Sequence, residues 1–197
     1  MELSPRLYRL FVRPPLFTKL YFDRRIKSLL FPFNFHNRVV LDFGCGIGSS
    51  SCMFQPEYYI GIDCDEKRIA YARNLYKNYN FFASQGAKLF IEDNSIDYVL
   101  IMAVLHHIPS QTIGEHLLEF HRVLKPTGRI IIIEPCFFPG SHLRNWCMSF
   151  FDKGEFIRSE QDYLRLFHQY NYKTAMIKRF SKCSVYNELF FTANPER

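Results

Sequence analysis

Long apolar runs are what this sequence most clearly lacks. Its most apolar stretches, near Tyr98–Leu105 and Ile130–Ile133, have the length of strands, whereas a membrane-spanning helix needs about 20 such residues. The opening Met-Glu-Leu-Ser-Pro-Arg has no uninterrupted apolar core after a basic start, so no secretory signal is read there. No two cysteines stand in CxxC spacing, and no Cys/His cluster has the spacing of a structural zinc site, so no metal is expected. Cys45, Cys52, Cys64, Cys136, Cys147 and Cys183 therefore read as free thiols in a reducing compartment. There is no internal repeat and no sign of a second domain.

Apolar and aromatic residues are plentiful. At 48% hydrophobic and 17% aromatic, the 197 residues are too apolar for a disordered chain and long enough to bury a core without metal or disulfide staples. The net charge of +6 is local. Residues 1–38 carry eight basic side chains (Arg6, Arg9, Arg13, Lys19, Arg24, Arg25, Lys27, Arg38) against Glu2 and Asp23, and residues 39–197 balance at 17 of each sign. This argues against a nucleic-acid binder built on a broad positive face.

The proline-rich residues 1–15 read as an arm. Leu16, Leu20, Phe22, Ile26, Leu29 and Leu30 recur among charges as an amphipathic helix ended by Pro32. Residues 1–37 are thus a basic arm and amphipathic helix, either a lid or a helix packed permanently on the sheet, before a domain spanning 38–197. Strands are expected at Arg38–Asp42, Tyr58–Asp63, Asn80–Ala83, Ile96–Ala103 and Arg129–Glu134. Helices are expected at Ser49–Phe54, after the cap Asp65, and at Ser110–Leu124, where Lys125-Pro126-Thr127-Gly128 stops the last. This alternation predicts an α/β, doubly wound, mostly parallel sheet of seven strands with helices on both faces. Residues 136–157 loosen into an irregular or helical insertion, a candidate cover for whatever the domain binds. Ser159 with Asp162 approximates a capping box for a helix to Tyr170, and Lys173–Arg179 with Val185–Ala193 form a C-terminal antiparallel hairpin.

The chemistry concentrates after the first strand. Asp42-Phe43-Gly44-Cys45-Gly46-Ile47-Gly48 offers a turn tight enough to need positive φ, with amides free to meet a ligand. A glycine turn serving only packing is the other reading. Asp63 ends the second strand, where a carboxylate takes both hydroxyls of an adenosine ribose. The spacing is GxGxG rather than the dinucleotide GxGxxG. The acid at position 42 would repel a pyrophosphate but suits an ammonium, which points away from NAD and towards a cofactor with a methionine-like tail.

At these residues the chain resembles the class I S-adenosylmethionine-dependent methyltransferases, particularly the group that includes ubiquinone- and menaquinone-biosynthesis enzymes. Val39–Gly48 resembles the first motif and Ile60-Gly61-Ile62-Asp63-Cys64-Asp65 the second. Leu89–Asp97, Val104-Leu105-His106-His107-Ile108 and Arg122–Glu134 follow in order, so the resemblance spans about residues 38–135. It implies that Gly44, Cys45, Gly46 and Gly48 pass along the methionine part of S-adenosylmethionine, with Asp42 near its ammonium. It further implies that Asp63 holds the ribose and Cys64 lies against the adenine, and that Met102 and Ala103 line the transferred methyl. The family often places an acid after the third strand for the adenine amino group. Here that loop is Ser84-Gln85-Gly86-Ala87, in which the carbonyl of Gln85 can accept instead.

The expected reaction is methyl transfer to oxygen, nitrogen or carbon of a small-molecule or lipid-like acceptor. If the acceptor must lose a proton, His107 and His106 are the candidate bases at the carboxyl edge of the fourth strand. The alternative is that one caps backbone and the other packs. A zinc site is not read in the pair, because adjacent side chains should diverge. Glu134 either orients an acceptor or bonds neighbouring amides. Tyr21, His142 and Trp146 are the candidate acceptor contacts, and the helix of residues 16–31 offers weak peripheral contact with an anionic membrane for an otherwise cytoplasmic protein. A nucleic-acid or protein methyltransferase, or an inactive cofactor-binding partner protein, are the competing readings.

Overall fold

The computed structural model describes residues 25–151, 155–182 and 186–197. The chain forms two compact units, Met1–Gln85 and Gly86–Arg197. The arm, Tyr21 and most of the helix expected at 16–31 lie outside the described residues. Of that helix the structure describes a short turn, Lys27–Leu30, with Leu29 and Leu30 buried.

The first unit holds three parallel strands in the order β3-β2-β1. They are β1 (Val40–Phe43), β2 (Tyr59–Asp63) and β3 (Asn80–Ala83), with Asp42 beside Gly61 and Asp63 beside Ala83. All four residues of β1 are buried, as a parallel strand covered on both faces requires. Helix α1 (Glu66–Leu75) starts where Asp65 accepts the amides of Lys67 and Arg68, which satisfies two of the donors a helix start leaves open.

One expected element is corrected here. Ser49–Phe54 is not an α-helix: the chain turns through Gly46–Ser50 and makes only a 3-10 turn, Ser51–Met53. Serine hydroxyls compete for local partners instead of extending a helix. Ser51 Oγ donates to the Gly48 carbonyl at 2.8 Å, and Ser50 Oγ is drawn to Asp42. An aromatic cluster of Phe54, Tyr59, Tyr79 and Phe81 packs behind the turn.

In the second unit, β4 (Ile96–Met102) runs parallel to β5 (Leu124–Phe137), and β8 (Tyr186–Pro195) lies antiparallel on β5 and on β7 (Tyr172–Lys182). The isoleucine run Ile130–Ile133 is buried between its neighbours. Strand β5 begins earlier than Arg129. Leu124 already pairs with Ile96, and the register shifts before Tyr98 meets Arg129, so Lys125–Gly128, just past the helix end at Val123, forms a bulge in the strand. Helix α2 (Ser110–Val123) buries Ile113, Leu117, Phe120 and Val123. Helix α3 (His142–Phe151) occupies the insertion after β5. A two-residue strand β6 (Arg158–Ser159) pairs with the end of β5 and leads into α4 (Glu160–Gln169), whose amide at Asp162 is capped by Ser159 Oγ at 3.2 Å. The seven expected strands and the C-terminal hairpin are present.

Candidate functional site

In the first unit the chain leaves β1 through Gly44, Gly46 and Gly48, all at positive φ (74°, 57° and 75°), a region that costs residues with a Cβ about 1–2 kcal/mol each. The amides of Gly44 and Cys45 both donate to the Ile62 carbonyl, at 2.7 and 3.0 Å, which folds the loop back over the end of β2. The three glycines differ in their surroundings. A Cβ built on Gly46 meets nothing within 4 Å, whereas one on Gly48 would lie 2.6 Å from the Phe81 ring. Gly46 therefore opens outward, and Gly48 is a packing glycine.

Two carboxylates shape this loop. Asp42, only 2% exposed, accepts hydrogen bonds at Oδ2 from Ser50 Oγ and from the Tyr59 hydroxyl, the latter at 2.6 Å. Burial first, and then the charge of Asp42, push the Tyr59 hydroxyl pKa well above its ordinary value, so it stays a donor. Asp63 accepts the Gly46 amide at Oδ2 (2.8 Å) and the Asp65 amide at Oδ1 (2.9 Å). A carboxylate offers about four acceptor positions, so two remain for a ligand's hydroxyls. The open face of Gly46 and these two positions fit a ribose-bearing cofactor. Cys45 is buried, and burial with the charges of Asp42 and Asp63 raises its thiol far out of the reactive range. Cys64 and Gln85 are exposed, and in the second unit Gly86 is exposed at φ 88°.

The second unit brings together the catalytic candidates. Half-buried Met102 ends β4, and exposed Ala103 follows at φ 55°, a strained conformation for alanine, with its amide held by the Ile133 carbonyl at 2.9 Å. Glu134, fully buried, accepts the amides of Val104 (2.6 Å) and Leu105 (2.9 Å) at Oε1, and that of His106 (3.3 Å) at Oε2. His106 Nδ1 lies 2.9 Å from the same Oε2, and its ring is buried. Of the two roles open to Glu134, the structure shows amide binding. His106 is a partner of Glu134, while His107 is exposed. The expected divergence of the two imidazoles is wrong: their ring centroids lie 3.9 Å apart, because Leu105–His107 coils as a 3-10 turn. Among the described residues no group of three His, Cys, Asp or Glu side chains is placed to hold a metal.

Helix α3 carries His142 and Trp146, both exposed. Trp146 stacks on Phe150 (5.7 Å, 15°), and Leu143 joins them on one outward face, while Met148 on the opposite face is buried. Asn145 fastens the helix to Phe138 in both directions, at 3.3 and 2.9 Å. Sequence reasoning missed Ser50 and Tyr59 as partners of Asp42, and Arg158 near the histidine turn. Tyr59 and Arg158 act across longer separations, and only Ser50, in the serine run beside the glycine loop, signalled its presence.

Comparison with known proteins bears on the fold. A methyltransferase-domain family model matches residues 41–132. The chain is 32% identical over 141 residues (66% of this chain, 59% of the relative) to a protein of Encephalitozoon cuniculi provisionally named a methyltransferase. It is 37% identical over 68 residues (34% and 27%) to the ubiquinone/menaquinone biosynthesis C-methyltransferase of Rickettsia felis. The matched stretches thus span less than two thirds of these relatives. Among solved structures, a Pyrococcus horikoshii protein superposes with a TM-score of 0.76 at 20% identity, covering 97% of this chain and 99% of that one. The magnesium protoporphyrin IX methyltransferase of Synechocystis, solved with S-adenosylhomocysteine, gives 0.69 at 20% identity, covering 94% and 88%. The chain has the class I S-adenosylmethionine-dependent methyltransferase fold.

Proposed function

We propose that this protein transfers a methyl group from S-adenosylmethionine to a small-molecule or lipid-like acceptor. The observation that carries the reading is the outward-opening Gly46 beside Asp63, whose carboxylate keeps two acceptor positions for ribose hydroxyls. Asp42 serves this site by holding Ser50 and Tyr59, and so the loop's return, while Gly44 and Cys45 carry the loop backbone along the methionine part. Cys64 lies against the adenine, Gln85 and Gly86 border it, and Met102 and Ala103 line the methyl.

Bound S-adenosylmethionine supplies an activated methyl, so the protein's own work is to align the acceptor and, where needed, to accept its proton. His107 is the exposed imidazole of the histidine turn and takes that role. Glu134 and His106 fix the turn from inside. The outward face of Leu143, Trp146 and Phe150, with His142 beside it, suits an acceptor with a ring or an isoprenoid chain. The Rickettsia relative's name makes quinols the first acceptors to try. A lipid-like acceptor would be met at an anionic membrane surface, with residues 16–31 as the basic contact.

The test is S-adenosylhomocysteine formation with isoprenoid hydroquinones, porphyrin carboxylic acids and neutral phenols. Turnover on one of them is expected, with His107→Ala lowering kcat roughly 10²–10⁴-fold on a neutral hydroxyl while cofactor affinity holds. Cofactor binding without turnover on any member would favour an inactive partner protein instead. An unchanged rate in His107→Ala would remove the base.

A further inference from the structure

Arg158 belongs to none of the motifs, yet its guanidinium is wholly consumed at the histidine turn. Nη1 donates to the carbonyls of Leu105 and Phe156, both at 2.9 Å. Nη2 donates to the Ile108 carbonyl at 2.8 Å and to Ser110 Oγ at 3.0 Å, and Nε reaches the same hydroxyl at 3.2 Å. These five bonds match the five N–H donors of the group, so none is left for a ligand. The rings of Phe156 and Tyr163 lie under the cation at 5.9 and 5.7 Å. The His106 carbonyl is taken by the Phe156 amide at 3.0 Å. Glu134 meanwhile holds the amides on the other side of the same turn.

Both clamps grow from one place. Glu134 lies in β5, and Arg158 pairs with Cys136 two residues farther along that strand. The amides of Val104, Leu105 and His106 are thus tied to a carboxylate, and the carbonyls of Leu105 and Ile108 to a guanidinium, with the exposed His107 between them. A rigid fork can satisfy carbonyls three residues apart and a hydroxyl beyond them. A lysine ammonium delivers its donors from a single point and cannot.

We infer that Arg158 is a positioning residue for methyl transfer, setting the turn that presents His107. This rests on the methyltransferase reading above. It also makes the short strand β6, which follows the insertion and carries Arg158, part of the machinery that aligns the reacting groups.

The experiment uses the full chain and Arg158→Lys, with Arg158→Gln as a second variant should the first fold poorly. Turnover is followed on whichever acceptor of the panel the wild type methylates fastest. Arg158→Lys should lower kcat about 10²-fold, the order expected when a reacting group is misplaced by about 1 Å, with S-adenosylhomocysteine affinity within about threefold of wild type. In a His107→Ala background the same change should cost little more, because both substitutions remove one aligned group. Equal losses in the two backgrounds, or an unchanged kcat, would overturn the inference. The His107 imidazole resonances provide a readout that needs no acceptor, and they should move in Arg158→Lys. If His107→Ala proves fully active, the base reading falls, and the resonances alone decide. A shift then upholds positioning of the turn, and an unmoved spectrum overturns it.

Discussion

Replacing Glu134 by glutamine separates the structural role of this carboxylate from a catalytic one. Its two oxygens accept three consecutive amides and face His106 Nδ1, with no exposure to solvent. Glutamine can keep its carbonyl oxygen towards Val104 and Leu105, but it then turns an NH2 group towards the His106 amide. Two donors meet, one buried N–H loses its acceptor, and the remaining bonds lose their charge assistance. An unsatisfied buried donor costs about 1–3 kcal/mol and the lost assistance about 1 kcal/mol, so Glu134→Gln should destabilise by about 2–4 kcal/mol. For a chain of this size that lowers Tm by roughly 4–15 °C. Thermal unfolding followed by circular dichroism, with and without S-adenosylhomocysteine, measures it. A group whose only task was to touch the acceptor would lose turnover and leave Tm alone. A Tm within about 1 °C of wild type would refute the amide-binding account.

Two further outcomes follow from the titratable groups. Burial lowers the pKa of His116 below its ordinary value of 6.5, against the opposing charges of Glu115 and Glu119. The folded chain therefore binds this proton less readily than the unfolded one. The stability this group contributes is complete above pH 6.5 and declines as pH falls towards the lower folded value. His116→Gln should flatten that part of a stability profile from urea unfolding, and an identical slope in the variant would contradict the assignment. The Cys64 thiol is raised above its ordinary 9.0 by partial burial and then by Asp63, yet it is exposed. It should alkylate slowly, and more slowly still with S-adenosylhomocysteine, while exposed Cys52 serves as the internal control. Equal Cys64 labelling with and without that ligand would remove Cys64 from the adenine side.

Much of the fold was legible because its signals are local. Strand β3 lies where it was expected, Asp65 and Ser159 cap the helices they precede, and the isoleucine run forms a buried strand. The glycine loop and Asp63 were legible for the same reason: tight turns and strand ends impose their residue types on nearby positions. The departures lie where side-chain and strand partners override the local pattern. Ser49–Phe54 has a helical length, but Asp42 and the Gly48 carbonyl capture its serine hydroxyls. Lys125-Pro126-Thr127-Gly128 follows the helix end at Val123 as expected, but pairing of Leu124 with Ile96 also draws it into the strand as a bulge. For Glu134 both acceptor orientation and amide bonding were open, because position along a strand does not reveal which amides fold back to meet a carboxylate. Arg158 left no signal, since three of its four partners, Leu105, Ile108 and Ser110, meet it only by the closure of residues 105–110 onto β6.

The central claim is that the glycine loop and Asp63 together hold the adenosine and methionine parts of S-adenosylmethionine. Calorimetry with S-adenosylhomocysteine and with NAD, on the wild type and on Asp63→Ala, tests it most directly. The account predicts saturable one-site binding of S-adenosylhomocysteine and none of NAD. In the variant, loss of two charge-assisted ribose bonds worth about 1.5–3 kcal/mol each should weaken binding by at least about 100-fold. Unchanged affinity in Asp63→Ala, with the fold retained by circular dichroism, would contradict it, as would binding of NAD in place of S-adenosylhomocysteine.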